Sequence, residues 1–131
     1  MKSYTDLEQS RKLAKILPLE NADMHYNNAS IKGINYVDEY RAELMNYNTA
    51  QKVLSKYLIN PMFGIIPCWS LAALLDVLPC GTRLLKSTNI SSICDTKYHC
   101  DCPKGNIDVW FDNPIDACYE MILKLNELNL L

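Results

Sequence analysis

The residues best suited to chemistry fall close together in the last third of the chain. Cysteine thiolates and histidine nitrogens are the usual ligands of structural zinc, which takes four of them, typically from C-x2–4-C pairs. Here the spacing is C-x5-C-x-C, and an extended strand would place the three cysteines on one side and the histidine on the other. We therefore predict no metal site and no cofactor. The alternative set of metal ligands is Cys94, His99, Cys100 and Cys102.

Nucleophilic catalysis is the second chemistry to consider. A cysteine nucleophile needs a base within hydrogen-bond reach, and the only histidines are His25 and His99. On a strand His99 would project away from Cys100, and His25 lies in a polar segment. Acidic residues such as Asp108 and Asp112 are typical of a solvated hairpin surface. The sequence favours a protein without catalytic activity; a thiol- or metal-dependent hydrolase that uses hairpin cysteines or carboxylates is the alternative.

Aromatic residues provide the candidates for binding. Tyrosine and tryptophan are enriched at interface hot spots, because each combines a large apolar area with a polar tip. Tyr26 and Tyr36 flank a polar stretch, and Trp110 shares the polar side of a predicted strand with Asp108 and Asp112. We predict these three aromatic residues, Tyr26, Tyr36 and Trp110, as the binding residues.

Composition limits the remaining classes of function. The chain has 131 residues, 49% hydrophobic and 21% charged, as in an ordinary globular domain. Its longest apolar run, residues 71–75, is far shorter than the about 20 residues of a membrane span. A net charge of −2 disfavours nucleic acid, which binds basic faces. Six cysteines without a signal peptide indicate reduced thiols. We expect a single cytoplasmic domain over residues 1–131 with no membrane association.

The elements that must position these side chains follow from hydrophobic periodicity and turn residues. Residues 93–102 alternate in polarity, as do residues 107–111, and the segment between them has turn chemistry, which predicts an antiparallel hairpin over about 92–111. A further strand is predicted at about 82–89. The run at about 69–78 is apolar on nearly all sides and predicts a buried central helix.

Helices are predicted on both sides of this region. Asn113 followed by Pro114 marks the start of a C-terminal helix over about 114–128. Thr5 with Glu8 predicts the capping box of an N-terminal helix, and residues 36–47 predict a second helix. The fold class is therefore α+β, a small antiparallel sheet packed against the central, C-terminal and N-terminal helices.

Four segments of the chain also resemble a known group of proteins. They are residues 7–13 (LEQSRKL), 22–26 (ADMHY), 66–79 (IPCWSLAALLDVLP) and 112–131 (DNPIDACYEMILKLNELNLL). In this order they look like a family of short uncharacterised proteins from gut anaerobes and their phages or mobile elements. The resemblance implies a cytoplasmic accessory protein, of phage or mobile-element origin, and carries no activity with it. Taken together, the expected function is a non-enzymatic protein-interaction module that binds another protein, with self-association left open.

Overall fold

Helices and antiparallel strands together build the protein, so the predicted α+β class is confirmed. The computed structural model describes residues 2–28, 40–44, 65–88 and 96–131. The elements are α1 (Leu7–Leu13), a 3-10 helix (Leu19–Asn21), β1 (Met24–Asn28), β2 (Tyr40–Leu44), β3 (Ile65–Cys68), α2 (Leu71–Val77), β4 (Arg83–Thr88), β5 (Thr96–Asp101) and α3 (Pro114–Glu127).

The chain divides into two compact units. The N-terminal unit comprises residues 6–70, and the discontinuous unit comprises residues 1–5 and 71–131. The prediction of one domain over residues 1–131 stays a prediction. Among the helices of the described residues, none combines the length and the apolar character needed to cross a membrane.

The N-terminal unit contains a three-stranded sheet in the order β2-β1-β3, with both neighbours antiparallel to β1. Tyr26, Ile66 and Cys68 form a buried cluster on this sheet, and Leu7 of α1 packs against it. The predicted helix over residues 36–47 is therefore wrong for residues 40–44, because this segment pairs along the full length of β1. The other residues of that predicted helix lie outside the described part of the chain.

Two aspartates of this unit accept hydrogen bonds from backbone N–H groups. Asp6 caps α1, since its Oδ1 accepts a hydrogen bond from Gln9 N at 2.8 Å and Gln9 Oε1 accepts one from Asp6 N at 3.1 Å. The predicted capping box thus exists one residue later than expected, and Thr5 is fully buried instead. Asp23 accepts hydrogen bonds from the backbone N–H of Ser70, at 2.9 Å, and from its hydroxyl.

The discontinuous unit is built on the antiparallel pair β4–β5, which is packed against α3. The predicted strand at 82–89 is present, but its hairpin partner is β5. Residues 107–111 do not form the predicted second strand of a hairpin over 92–111. In the described part of the chain, residues 107–111 form one isolated bridge, between Phe111 and Tyr98, and a second bridge joins Cys102 to Gly105 in the preceding turn. Phe111 is six positions after Gly105, whereas Cys102 is four positions after Tyr98, so a regular ladder cannot connect the two bridges.

The central helix is shorter and less buried than predicted. The predicted range was about 69–78, whereas α2 spans Leu71–Val77 and β3 ends at Cys68. Ala73 and Leu74 are its buried residues, while Leu75 is 36% exposed. Helix α2 packs against α3, and α3 packs against β5. The helix that covers the sheet of this unit is therefore α3.

The C-terminal helix matches its sequence signals closely. Asn113 is the N-cap, with its Oδ1 accepting from Asp116 N at 2.9 Å, and Pro114 follows at the first helical position. One apolar stripe of α3 is buried. Its fully buried members are Ile115, Cys118, Met121, Ile122 and Leu125.

Replacing Asn113 by alanine should lower the free energy of unfolding by about 1 kcal/mol, because the first turn of α3 loses its cap. The measurement is urea denaturation followed by far-UV circular dichroism. Asn126→Ala, an exposed position near the other end of the same helix, is the matched control and should change stability by less than about 0.5 kcal/mol. Equal losses for the two variants would contradict the assigned role of Asn113.

Candidate functional site

Strand β5 separates two sets of side chains in the discontinuous unit. Because successive residues of a strand point to opposite faces, Tyr98 and Cys100 share one face with α3, while Lys97, His99 and Asp101 share the other. We call these the inner face and the outer face of the β4–β5 pair. Tyr98 is 7% exposed and Cys100 is 3% exposed, so the inner face is the packed one.

The outer face carries an aromatic pair. The rings of His99 and Trp110 are stacked with their centroids 5.1 Å apart and their planes at 30°. The Nδ1 atom of His99 lies 3.3 Å from the carbonyl oxygen of Val109, to which the Nδ1–H tautomer donates. Trp110 nevertheless remains 43% exposed. The indole therefore stacks on His99 on one side while a large part of it faces solvent.

The backbone explains why Trp110 lies beside His99. Tyr98 and Phe111 exchange two backbone hydrogen bonds, each 2.8 Å long, which anchors the 110–112 segment along the edge of β5. Phe111 then faces the inner side, and its neighbours Trp110 and Asp112 face outward. The Tyr98–Phe111 bridge therefore places Trp110 and Asp112 on the outer face, which the predicted strand over residues 107–111 was expected to do.

Apolar and charged side chains surround the aromatic pair. Leu85 lies opposite His99 in the ladder and is 37% exposed. Arg83 is bound to Asp101, with Nη2 and Oδ2 2.8 Å apart. At the other end Lys97 is bound to Asp112. We call Leu85, His99 and Trp110, with these two flanking ion pairs, the outer patch.

The inner face carries the thiols. Cys100, Cys102 and Cys118 are buried and free. The S–H of Cys118 donates a hydrogen bond to the Cys100 sulfur, which lowers the pKa of Cys100 despite the opposing effects of burial and of the Asp101 carboxylate. The same hydrogen bond, together with burial, raises the pKa of Cys118.

The three predicted binding residues do not lie together on one described surface. Trp110 is exposed on the outer patch. Tyr26 is 7% exposed and belongs to the buried cluster of the N-terminal unit. Tyr36 lies outside the described residues.

The alternative metal ligands do not form a described site. Cys94 lies outside the described residues, and His99 is on the face of β5 opposite Cys100 and Cys102. Within residues 2–28, 40–44, 65–88 and 96–131, no group of three or more His, Cys, Asp or Glu side chains is arranged to hold a metal ion. His99 and Cys100 lie on opposite faces of β5, so the imidazole is not placed to act as the base for a Cys100 nucleophile.

Sequence reasoning missed two contacts of this site. The stack of His99 on Trp110 joins residues that are 11 positions apart, and the Cys100–Cys118 contact joins a strand to a helix. The alternating pattern of β5 and the apolar stripe of α3 indicate that both thiols are buried. Neither pattern indicates that the two thiols meet.

The two tryptophans should differ sharply in fluorescence quenching by acrylamide. Trp69 is fully buried and Trp110 is 43% exposed, so only Trp110 is open to a quencher in solution. Trp110→Phe, which leaves Trp69, should therefore show blue-shifted emission and a Stern–Volmer constant several-fold below that of the wild type. Unchanged quenching after removal of Trp110 would show that its indole is shielded.

Comparison with known proteins gives no further indication of the role of this site. No protein-family model, curated protein or solved structure matches the chain. The functional interpretation therefore depends on the geometry of the outer patch and of the inner thiols.

Proposed function

We propose that this chain is a small, non-enzymatic protein-interaction module that binds another protein through the outer patch. The observation that supports the proposal most directly is the exposed Trp110 ring, which stacks on His99. Immobilising a large side chain is part of the free-energy cost of association. The stack with His99 is expected to reduce that cost for Trp110.

The composition of the outer patch matches the anatomy of a protein interface. Such interfaces have an apolar, often aromatic centre and a polar rim. Leu85 and Trp110 supply the centre, and the Arg83–Asp101 and Lys97–Asp112 pairs supply the rim. Because each rim charge has an opposite charge beside it, the attraction to a partner is expected to come from apolar contact. The chemistry that fits is a protein surface with an apolar recess for the indole.

The two ion pairs also argue against nucleic acid as a partner. Neutralising phosphates requires cations that are free to contact them, and such binding falls steeply with salt. Arg83 and Lys97 each contact a carboxylate, and the whole chain has a net charge of −2. We therefore do not expect nucleic acid to be a partner of this protein.

We also propose a cytoplasmic location and a phage or mobile-element origin. Five cysteines in the described residues are free thiols, which supports a reducing compartment such as the cytoplasm. The role of an accessory protein of phage or mobile-element origin is supported by the sequence resemblance of residues 66–79 and 112–131.

Photo-crosslinking in the native cell tests the proposal at single positions. A photoreactive phenylalanine at position 110 or 85 should give one defined protein adduct, and the same group at the exposed Glu127 should not. An adduct between two copies of this chain would identify the partner as the protein itself. A chain that stays unliganded and monomeric, with no adduct from either position, would overturn the proposal.

Binding measurements on the reconstituted complex sharpen the test. Trp110→Ala should weaken binding by roughly 30-fold or more, as expected of a central aromatic anchor. Leu128→Ala, which changes a residue 46% exposed but outside the outer patch, should change the affinity by less than about twofold. Raising salt from about 50 to about 300 mM should change it by less than about threefold, because the rim charges are already paired. A steep salt dependence would instead indicate charge-driven binding.

A further inference from the structure

Strand β4 has one edge with which no strand of the described residues pairs. β4 and β5 form a two-stranded sheet, so β5 covers one edge of β4 and leaves the other. Five of the six residues of β4 are exposed, and Leu84 is the half-buried exception. An exposed strand edge presents backbone N–H and C=O groups that can pair with an added strand. We call this side of β4 the open edge.

The register of the ladder shows which residues of β4 present these groups. Tyr98 and Phe111 exchange two backbone hydrogen bonds, so the N–H and C=O of Tyr98 point away from β4. These groups alternate in direction along a strand, and therefore those of His99 point toward its partner Leu85. Lys86 is opposite Tyr98, so its own groups point away from β5. By the same alternation, the open edge consists of the backbone groups of Leu84, Lys86 and Thr88.

The open edge is continuous with the outer patch. Leu85, His99 and Trp110 form one row across the outer face, because Leu85 is opposite His99 and His99 stacks on Trp110. Leu85 ends that row at the open edge and is 37% exposed. A strand added to β4 would place a side chain directly beside Leu85. An apolar residue at that point would cover Leu85 and lengthen the row.

Charge limits which strand can be added. The sequence of β4, RLLKST, has two basic residues and no acidic one. Arg83 is already bound to Asp101, whereas no carboxylate of the described residues forms an ion pair with Lys86. Opposite charges directly across two strands stabilise their pairing, and like charges destabilise it. An acidic residue opposite Lys86 is therefore favoured.

The same charge disfavours a second copy of β4 as the added strand. Two antiparallel β4 strands exchange hydrogen bonds only when their outward groups are directly opposite each other. In the registers with the longest overlap, Lys86 is then opposite or diagonal to Lys86 of the second copy. Both arrangements bring long side chains of like charge within reach of each other. The open edge therefore favours an acidic segment over its own sequence.

We propose that the open edge binds an extended acidic segment of another protein as a third, antiparallel strand. The segment has an acidic residue opposite Lys86, followed in its sequence by an apolar residue opposite Leu85. Main-chain hydrogen bonds provide affinity and these two side chains provide specificity, as in other cases of strand addition. The inference rests on the proposed function, since it takes the chain to be a module that binds another protein.

The experiment measures amide hydrogen exchange of the ¹⁵N-labelled full chain with two synthetic peptides. One is acetyl-STTEIVTS-amide, and the other has Lys in place of Glu. In the protein alone, the amides of Leu85 and Ser87 face β5 and should exchange more slowly than those of Lys86 and Thr88. Saturation with the Glu peptide should slow exchange at Lys86 and Thr88 by about tenfold or more, because their N–H groups become hydrogen-bonded.

Variants of the protein test the role of charge. The wild type should bind the Lys peptide about threefold or more weakly than the Glu peptide, and Lys86→Glu should reverse this preference. Lys104→Glu makes the same change of charge at an exposed position in the turn after β5, so it should keep the wild-type preference. The comparison of the two peptides on the wild type does not depend on the folding of any variant.

Modified peptides test the main-chain pairing. The Glu nitrogen faces β4 in the proposed register and the Ile nitrogen faces away, so methylation of the Glu nitrogen should abolish binding. Methylation of the Ile nitrogen is the matched control and should weaken binding far less. Equal effects of the two methyl groups would overturn the proposed strand addition.

The inference is supported if the Glu peptide protects Lys86 and Thr88 and Lys86→Glu reverses the preference. It is overturned if the peptide gives no protection at millimolar concentration, if its affinity ignores the charge at position 86, or if two copies pair through β4 instead. Adducts from position 110 without protection of β4 would keep the outer patch and overturn the added strand. Protection without such adducts would support the added strand and overturn the outer patch as the contact.

Discussion

The packing of α3 against the inner face of β5 is the constraint on which the discontinuous unit depends. A two-stranded antiparallel pair is marginally stable in water by itself, so β4 and β5 need an apolar partner. The helix supplies one with a single buried stripe that includes Ile115, Met121 and Ile122. Within the described residues, α3 covers the inner face, and Leu85 and Trp110 on the other face are exposed. The outer patch is a direct result of this one-sided coverage.

The same geometry separates the chemical groups of β5. Cys100 is held against α3 and can meet only groups of the inner face, while His99 is held against Trp110 in solvent. The strand therefore keeps its thiol and its imidazole apart, although they are adjacent in sequence. Because of that separation, the His99 imidazole is not placed to act as the base for a Cys100 nucleophile.

Helix caps and hydrophobic periodicity predict those elements whose bounds depend on neighbouring residues in the sequence. Asn113 and Pro114 mark the start of α3, and the alternation of residues 96–101 marks β5, because caps and periodicity act within a few residues. The strand at residues 40–44 was predicted as helix, since its conformation is set by pairing with β1, which is distant in sequence. The approach of Cys100 to Cys118 likewise depends on how α3 docks on β5. No local pattern encodes that docking.

The ion pair between Lys2 Nζ and Asp116 Oδ1, 2.9 Å long, joins residues 114 positions apart within the discontinuous unit. Loop-closure entropy grows with the logarithm of the intervening length, and non-local contacts slow folding. The β4–β5 ladder and the docking of α3 join residues much closer in sequence, so they can form while the first residues are still unattached. We therefore expect residues 2–5 to dock late in the folding of this unit, after the β4–β5 ladder and the packing of α3 have formed.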